Sequence, residues 1–113
     1  MTDAPAPNGP DASSGLVPLL EETASELGGV LPRRDAGGIT WIVDARPIAS
    51  VEGPVASFRI GREIGAAARN TPDASASALG PDWVAFQPAT LDGHARDRAV
   101  AWLAAAHRLA RRG

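Results

Sequence analysis

The sequence predicts an α+β fold in which one antiparallel β-sheet is packed with helices, and three observations carry that prediction. Between Ala36 and Gly61 the run AGGITWIVDARPIASVEGPVASFRIG holds three short stretches rich in β-branched and aromatic residues, separated by two turns. Such residues suit a pleated, half-buried surface. The segments on either side repeat their apolar residues at helical spacing. A further stretch, Trp83 to Gln87, follows a Gly-Pro-Asp turn and precedes the last helical segment. The predicted order is α-β-β-β-α-(β)-β-α.

The first helix is predicted from Gly15 to Leu27, with Ser13 or Ser14 as its N-cap, because a hydroxyl there can accept from a free N–H of the first turn. Pro18 is placed early in it, where a missing N–H costs little. Leu16, Leu20, Ala24 and Leu27 form its apolar stripe, and Glu21, Glu22 and Glu26 face water. Gly28 and Gly29 end it, since glycine enters the left-handed cap conformation freely. Val30 to Asp35, with its Arg33-Arg34 pair, reads as a solvated connector.

Strands are predicted at Ile39 to Val43, Pro47 to Val51 and Val55 to Ile60, joined at Asp44-Ala45 and at Glu52-Gly53-Pro54. In the third, Ala56, Phe58 and Ile60 share one face and Ser57 and Arg59 the other. Gly61 breaks the sheet. Arg62 to Asn70 reads as a short helix held by Ile64 and Ala68, with Arg62 and Glu63 capping it. The bracketed strand is placed near Ala76 to Leu79. In Trp83 to Gln87, Val84 and Phe86 face one way and Trp83 and Ala85 the other. The last helix is predicted from Asp92 to Arg111, capped by Thr90 or Asp92. Its stripe is Ala95, Ala99, Trp102, Ala106 and Leu109, widened by Val100 and Leu103. Arg108, Arg111 and Arg112 lie at its negative end, where they compensate the free carbonyls.

At 113 residues the chain has room for one core. Residues 1–12 are read as an unstructured tail and 13–112 as a single domain, because MTDAPAPNGPDA has almost nothing to bury. Much of the 44% hydrophobic content is Ala, so the three Trp, two Phe and the aliphatic residues must carry the core. The net charge of −2 and pI of about 5.6 argue against the broad basic surface that non-specific nucleic-acid binding requires. Cys is absent, which excludes disulfides, thiol catalysis and Cys-ligated zinc. With neither a secretory leader pattern nor an apolar run of membrane-spanning length, a cytoplasmic location is expected.

The run GGITWIVDARPIASV, then VASFRIG, then DWVAFQPATLD, then the helix with Trp102 and Ala106, resembles the N-terminal domain of TfoX-type competence regulators over roughly Leu19 to Ala110. Gly37, Gly38, Arg59, Ile60, Gly61, Trp83, Val84, Pro88 and Trp102 occupy the positions of that family's pattern. The chain departs from it at Asp35-Ala36, where the family often has Met-Phe, and at Ala45, where a turn glycine is usual. YjbR/MmcQ-type domains are the nearest rival family. The resemblance implies a secretion-chaperone-like or YjbR-like two-layer architecture. It also implies a non-enzymatic regulatory or protein-interaction domain with an unknown protein partner; the sheet face left uncovered by helices is the natural surface for it, and that face could equally pair two copies into a homodimer.

No residue set reads as catalytic, cofactor-binding or metal-binding, and no cofactor is expected. His94 and His107 stand about 220° apart on one helix and cannot share a ligand. Asp92, His94 and Asp97 read as a solvated helix entry and His107 as packed near the core stripe. Gly61-Arg62-Glu63-Ile64-Gly65 is not a dinucleotide fingerprint. Trp41 and Trp83 lack the basic surroundings of a base-stacking platform. Gly37, Gly38, Phe58, Gly61, Trp83, Phe86 and Trp102 are the expected structural anchors. The alternatives to an interaction domain are a nucleic-acid-binding or transcriptional co-regulator domain and a small-ligand binder.

Overall fold

The computed structural model describes residues 12–112, with the side chains of 15–112. It runs α1 (Ala12–Leu27), β1 (Leu31–Asp35), β2 (Gly38–Val43), β3 (Arg46–Glu52), β4 (Val55–Arg59), α2 (Arg62–Ala68), β5 (Ala74–Ala76), β6 (Trp83–Phe86) and α3 (Gly93–Arg112). The six strands make one antiparallel sheet in the order β1-β2-β3-β4-β6-β5. Together with the helices packed on it, this is the α+β architecture that the residue patterns predict.

Alternation along the strands decides where the helices sit. Ile39, Trp41 and Val43 of β2, Ala49 and Val51 of β3, Ala56 and Phe58 of β4, and Val84 and Phe86 of β6 are all buried. The pairings Trp41↔Ala49, Ala49↔Phe58 and Phe58↔Val84 put them on one face. Against that face lie Leu16, Leu20 and Ala24 of α1 and Ala99, Leu103 and Ala106 of α3, all in one core cluster. β3 carries one irregularity, opposite Trp41 and Ile42, where an extra residue lets Ile48 join the buried set.

Several expectations are corrected. The connector at Val30 to Asp35 contains an edge strand. LPRRD has no apolar alternation and all five residues are exposed, so burial does not form it. The turn does: Asp35 Oδ1 accepts from the N–H of Gly37 (2.9 Å) and of Gly38 (3.0 Å), folding β1 back onto β2. Pro18 lies inside α1 rather than in its first turn, because the helix starts at Ala12. The unstructured reading of 1–11 falls outside the described residues, while Ser13 and Ser14 lie within α1, which starts at Ala12, so neither is its N-cap residue.

The bracketed strand is Ala74–Ala76, two residues before its expected start and registered on β6 by Ala74↔Phe86. In α2 the buried face is Gly65 and Ala68, while Ile64 is 53% exposed. The reason is distance: a Cβ at Gly65 would stand 3.4 Å from the Pro81 carbonyl oxygen, so the helix approaches the chain entering β6 through its smallest residues. Neither Arg62 nor Glu63 caps α2, whose N-cap is Gly61 (φ 96°) with no side-chain hydrogen bond. On α3 the buried stripe is Ala95, Ala99, Leu103, Ala106 and Ala110, with Trp102 half-buried on its flank. Leu103 takes the central place of that stripe among the four alanines, which turns its neighbour Trp102 to the side. Asp92, not Thr90, caps α3, its Oδ1 accepting from the N–H of Ala95 at 2.9 Å.

Candidate functional site

Opposite the helices, the sheet presents Leu31, Arg33 and Asp35 of β1, Thr40 and Ile42 of β2, Ser50 and Glu52 of β3, and Ser57 and Arg59 of β4. Their register follows from the pairings Leu31↔Ile42, Arg33↔Thr40, Thr40↔Ser50 and Ser50↔Ser57. Trp83 and Ala85 of β6 continue this face through Arg59↔Trp83 and Ser57↔Ala85. No helix covers it, yet Trp83 is only 8% exposed and Ser57 only 7%.

The cover comes from the segment between β5 and β6. Ser77 Oγ shares a hydrogen bond with Ser57 Oγ at 3.2 Å and accepts from the N–H of Leu79 at 3.1 Å, which holds the segment over β4. Gly80 (φ 134°) turns it back, and Asp82 C=O receives the N–H groups of Ile60 and Gly61, both at 3.0 Å. The result is an open face in two halves. Over β4 and β6 the chain covers itself. Over β1, β2 and β3 the face is bare among the described residues.

A trough of about 230 Å³ runs along that boundary. Leu79 and Trp83 form one wall, Thr40, Pro47 and Ser50 line its floor, and Arg33, Asp35 and Glu52 stand at its rim. The charges are sorted along the strands. Asp35 closes β1 and Glu52 closes β3 at one end of the sheet, and Arg59 closes β4 at the other. Leu31 is 70% exposed and Leu79 54% exposed; with Ile64 they are the exposed large hydrophobic residues of the described chain.

A second concavity lies between α2 and α3. Ile64, Ala67 and Thr71 face His94, Asp97, Arg98 and Trp102 across about 500 Å³. An adjoining hollow of about 410 Å³ shares His94 and Arg98 and adds Phe86, Asp73 and Asp92. The Arg98 guanidinium already stacks over the Trp102 ring, 5.6 Å from its centroid, and Asp92 is engaged as a helix cap. Cations and carboxylates mix here without converging on one point.

The residues expected to anchor the fold sit in different places. Phe58 and Phe86 are in the core beneath α3, Trp102 flanks that helix, and Trp83 walls the trough on the opposite face. Gly37 and Gly38 make the turn at the acidic end. At Gly38 (φ 154°) an added Cβ would fall 1.9 Å from the Val51 carbonyl oxygen, a close approach that only glycine permits. His107 is half-buried and its Nε2 lies 3.0 Å from Gly28 C=O, tying α3 to the end of α1. Asp92, His94 and Asp97 are not assembled into a site, and among the described residues no group of three His, Asp or Glu side chains is placed to hold a metal ion. Arg108, Arg111 and Arg112 stay together at the exposed end of α3, far along the chain from Arg33 and Arg59.

Sequence reasoning missed the trough and its lid. Leu79 and Ser77 belong to a small, polar stretch without periodicity, and the one available signal was Trp83, a large apolar residue on the strand face that also carries Arg59. Comparison with protein-family models, with curated proteins and with solved structures finds no match. Among the described residues no helix is long and apolar enough to cross a membrane.

Proposed function

We propose that this chain is a non-enzymatic, regulatory protein-interaction domain that works through the bare half of its sheet, over β1 to β3. The observation that carries the reading is the combination on one face of exposed Leu31 and Leu79, a trough walled by Leu79 and Trp83, and Arg33, Asp35 and Glu52 at its rim. An apolar patch with a polar rim is the usual anatomy of a protein-binding surface. Balanced charge favours a protein over a nucleic acid: Arg33 and Arg59 are offset on the same face by Asp35 and Glu52, whereas phosphate recognition needs cations that converge. The resemblance to TfoX N-terminal domains points the same way, towards regulation through contact with another protein.

A photo-crosslinking amino acid placed at Ser50, on the open face, and separately at Arg108, on the outer side of α3, tests this in cell lysate. A discrete adduct from position 50, absent from position 108 and lost when Thr40→Glu is added, is the expected result. Equal labelling from both positions, or none from position 50, overturns it.

A further inference from the structure

We infer that the two adjoining hollows between α2 and α3 form one binding site for a free α-amino acid with a large apolar side chain. The site lies on the helix side of the sheet, away from the bare half, and stands or falls independently of the role proposed for that face.

Charge is the first argument. The lining of the two hollows sets Asp73, Asp92 and Asp97 against one guanidinium, Arg98, with His94 beside it. That set disfavours a simple anion. It does not suit a metal ion either, since among the described residues no three such groups converge. It suits a molecule that carries a cation and an anion on neighbouring atoms, as an α-amino acid does.

The groups are placed for the two ends of such a ligand. Arg98 is common to both hollows, and its guanidinium lies 5.6 Å from the centroid of the Trp102 ring. It makes no side-chain ion pair among the described residues. Stacking fixes its plane and leaves its edge donors free for the two oxygens of a carboxylate. Asp73 and Asp92 line the hollow of about 410 Å³. Asp73 takes a left-handed backbone (φ 67°), and its carbonyl accepts from the N–H of Gln87 at 2.9 Å. Asp92 uses Oδ1 to cap α3, which leaves Oδ2 for an ammonium group.

The apolar part has its own place. Ile64, Ala67, Ala101 and Trp102 line the hollow of about 500 Å³ on the other side of Arg98. Ile64 is 53% exposed because α2 turns only Gly65 and Ala68 inward. A large apolar side chain between Ile64 and the indole removes both from water. Hollows of this size match ordinary small-molecule sites.

Calorimetric titration of the full chain with leucine and with phenylalanine tests the inference. Saturable binding at one site is expected, with a Kd of about 1 mM or tighter. N-acetyl-leucine lacks the ammonium, isopentylamine lacks the carboxylate and glycine lacks the side chain; each is expected to bind about tenfold or more weakly than leucine. Arg98→Met keeps an apolar stem beside Trp102, and Asp73→Asn keeps a residue that tolerates positive φ; each is expected to weaken leucine about tenfold. Arg108→Met, on the outer side of α3, should leave binding unchanged. No saturable heat with either amino acid overturns the inference. So does N-acetyl-leucine or isopentylamine binding as tightly as leucine, a test that needs no variant, or wild-type affinity in both Arg98→Met and Asp73→Asn.

Discussion

Trp102 meets Phe86 edge to face, with ring centroids 5.3 Å apart and ring planes at 79°, and meets Phe58 at 6.0 Å and 60°. The indole therefore reaches sideways from α3 to two core rings of the sheet, with Arg98 stacked on its outer side. Its anchoring comes from these aromatic contacts more than from full burial. Trp102→Ala is expected to cost about 2–4 kcal/mol, below the ~3–5 kcal/mol of a fully buried aromatic such as Phe58. Urea denaturation of the two alanine variants checks the order; a Trp102→Ala midpoint equal to that of wild type would mean that the rings contribute nothing.

The β2–β3 turn carries avoidable strain. Asp44 and Ala45 both take positive φ, 51° and 68°, as a two-residue turn twisted to match its strands requires. Aspartate tolerates this conformation, whereas alanine, with a Cβ and no polar group to compensate, does not. Ala45→Gly is expected to stabilise the protein by roughly 0.5–1 kcal/mol, the relief of left-handed strain exceeding the added freedom of the unfolded chain. Thermal melts give the answer directly, and a lower melting temperature would contradict the strain argument.

Two glycines with positive φ should respond very differently to the same change. At Gly53 (φ 58°) an added Cβ meets nothing within 4 Å, so Gly53→Ala should cost only the backbone term of about 1–2 kcal/mol. At Gly38 the Cβ would collide with the backbone oxygen of Val51, which cannot move without breaking the β2–β3 ladder. Gly38→Ala is therefore expected to exceed about 4 kcal/mol or to prevent folding. Similar stabilities for the two variants, measured by denaturant titration, would refute the distinction.

His107 bonds to the carbonyl of Gly28, the first residue past α1, where helix carbonyls lack internal donors. Removing the imidazole with His107→Ala is expected to cost about 0.5–1.5 kcal/mol. Hydrogen exchange should show faster opening at the end of α1. If the loss of stability were confined to α3 amides, the bond would not be what joins the two helices.

The exposed ion pair between Arg34 and Glu21 links the edge strand to α1, with side chains 64% and 38% exposed. Arg34→Ala should change stability by less than about 1 kcal/mol, with the difference fading as salt is raised. A larger, salt-independent loss would show that the pair does more than decorate the surface.

By itself the sequence determined the central hairpins, the sides on which Phe58 and Phe86 face, and the helices at both ends. These follow from local rules: period-2 and period-3.6 spacing of apolar residues, and turn chemistry at Glu52-Gly53-Pro54. What only the tertiary structure decided were the features whose cause is a partner distant in sequence. LPRRD is a strand because Asp35 turns it onto β2, although nothing in its own pattern buries a residue. Gly65 and Ala68, not Ile64, face inward because the chain leading into β6 leaves no room for a larger side chain. Trp102 lies on the flank because its neighbour Leu103 takes the buried place in the alanine stripe of α3. The trough exists because Ser77 bonds to Ser57, twenty residues away, and carries Leu79 and the loop over half of the open face. That bond, and the bare half-sheet it leaves beside it, depend on the sheet having already brought β4 and β6 together, which no local pattern in the chain encodes.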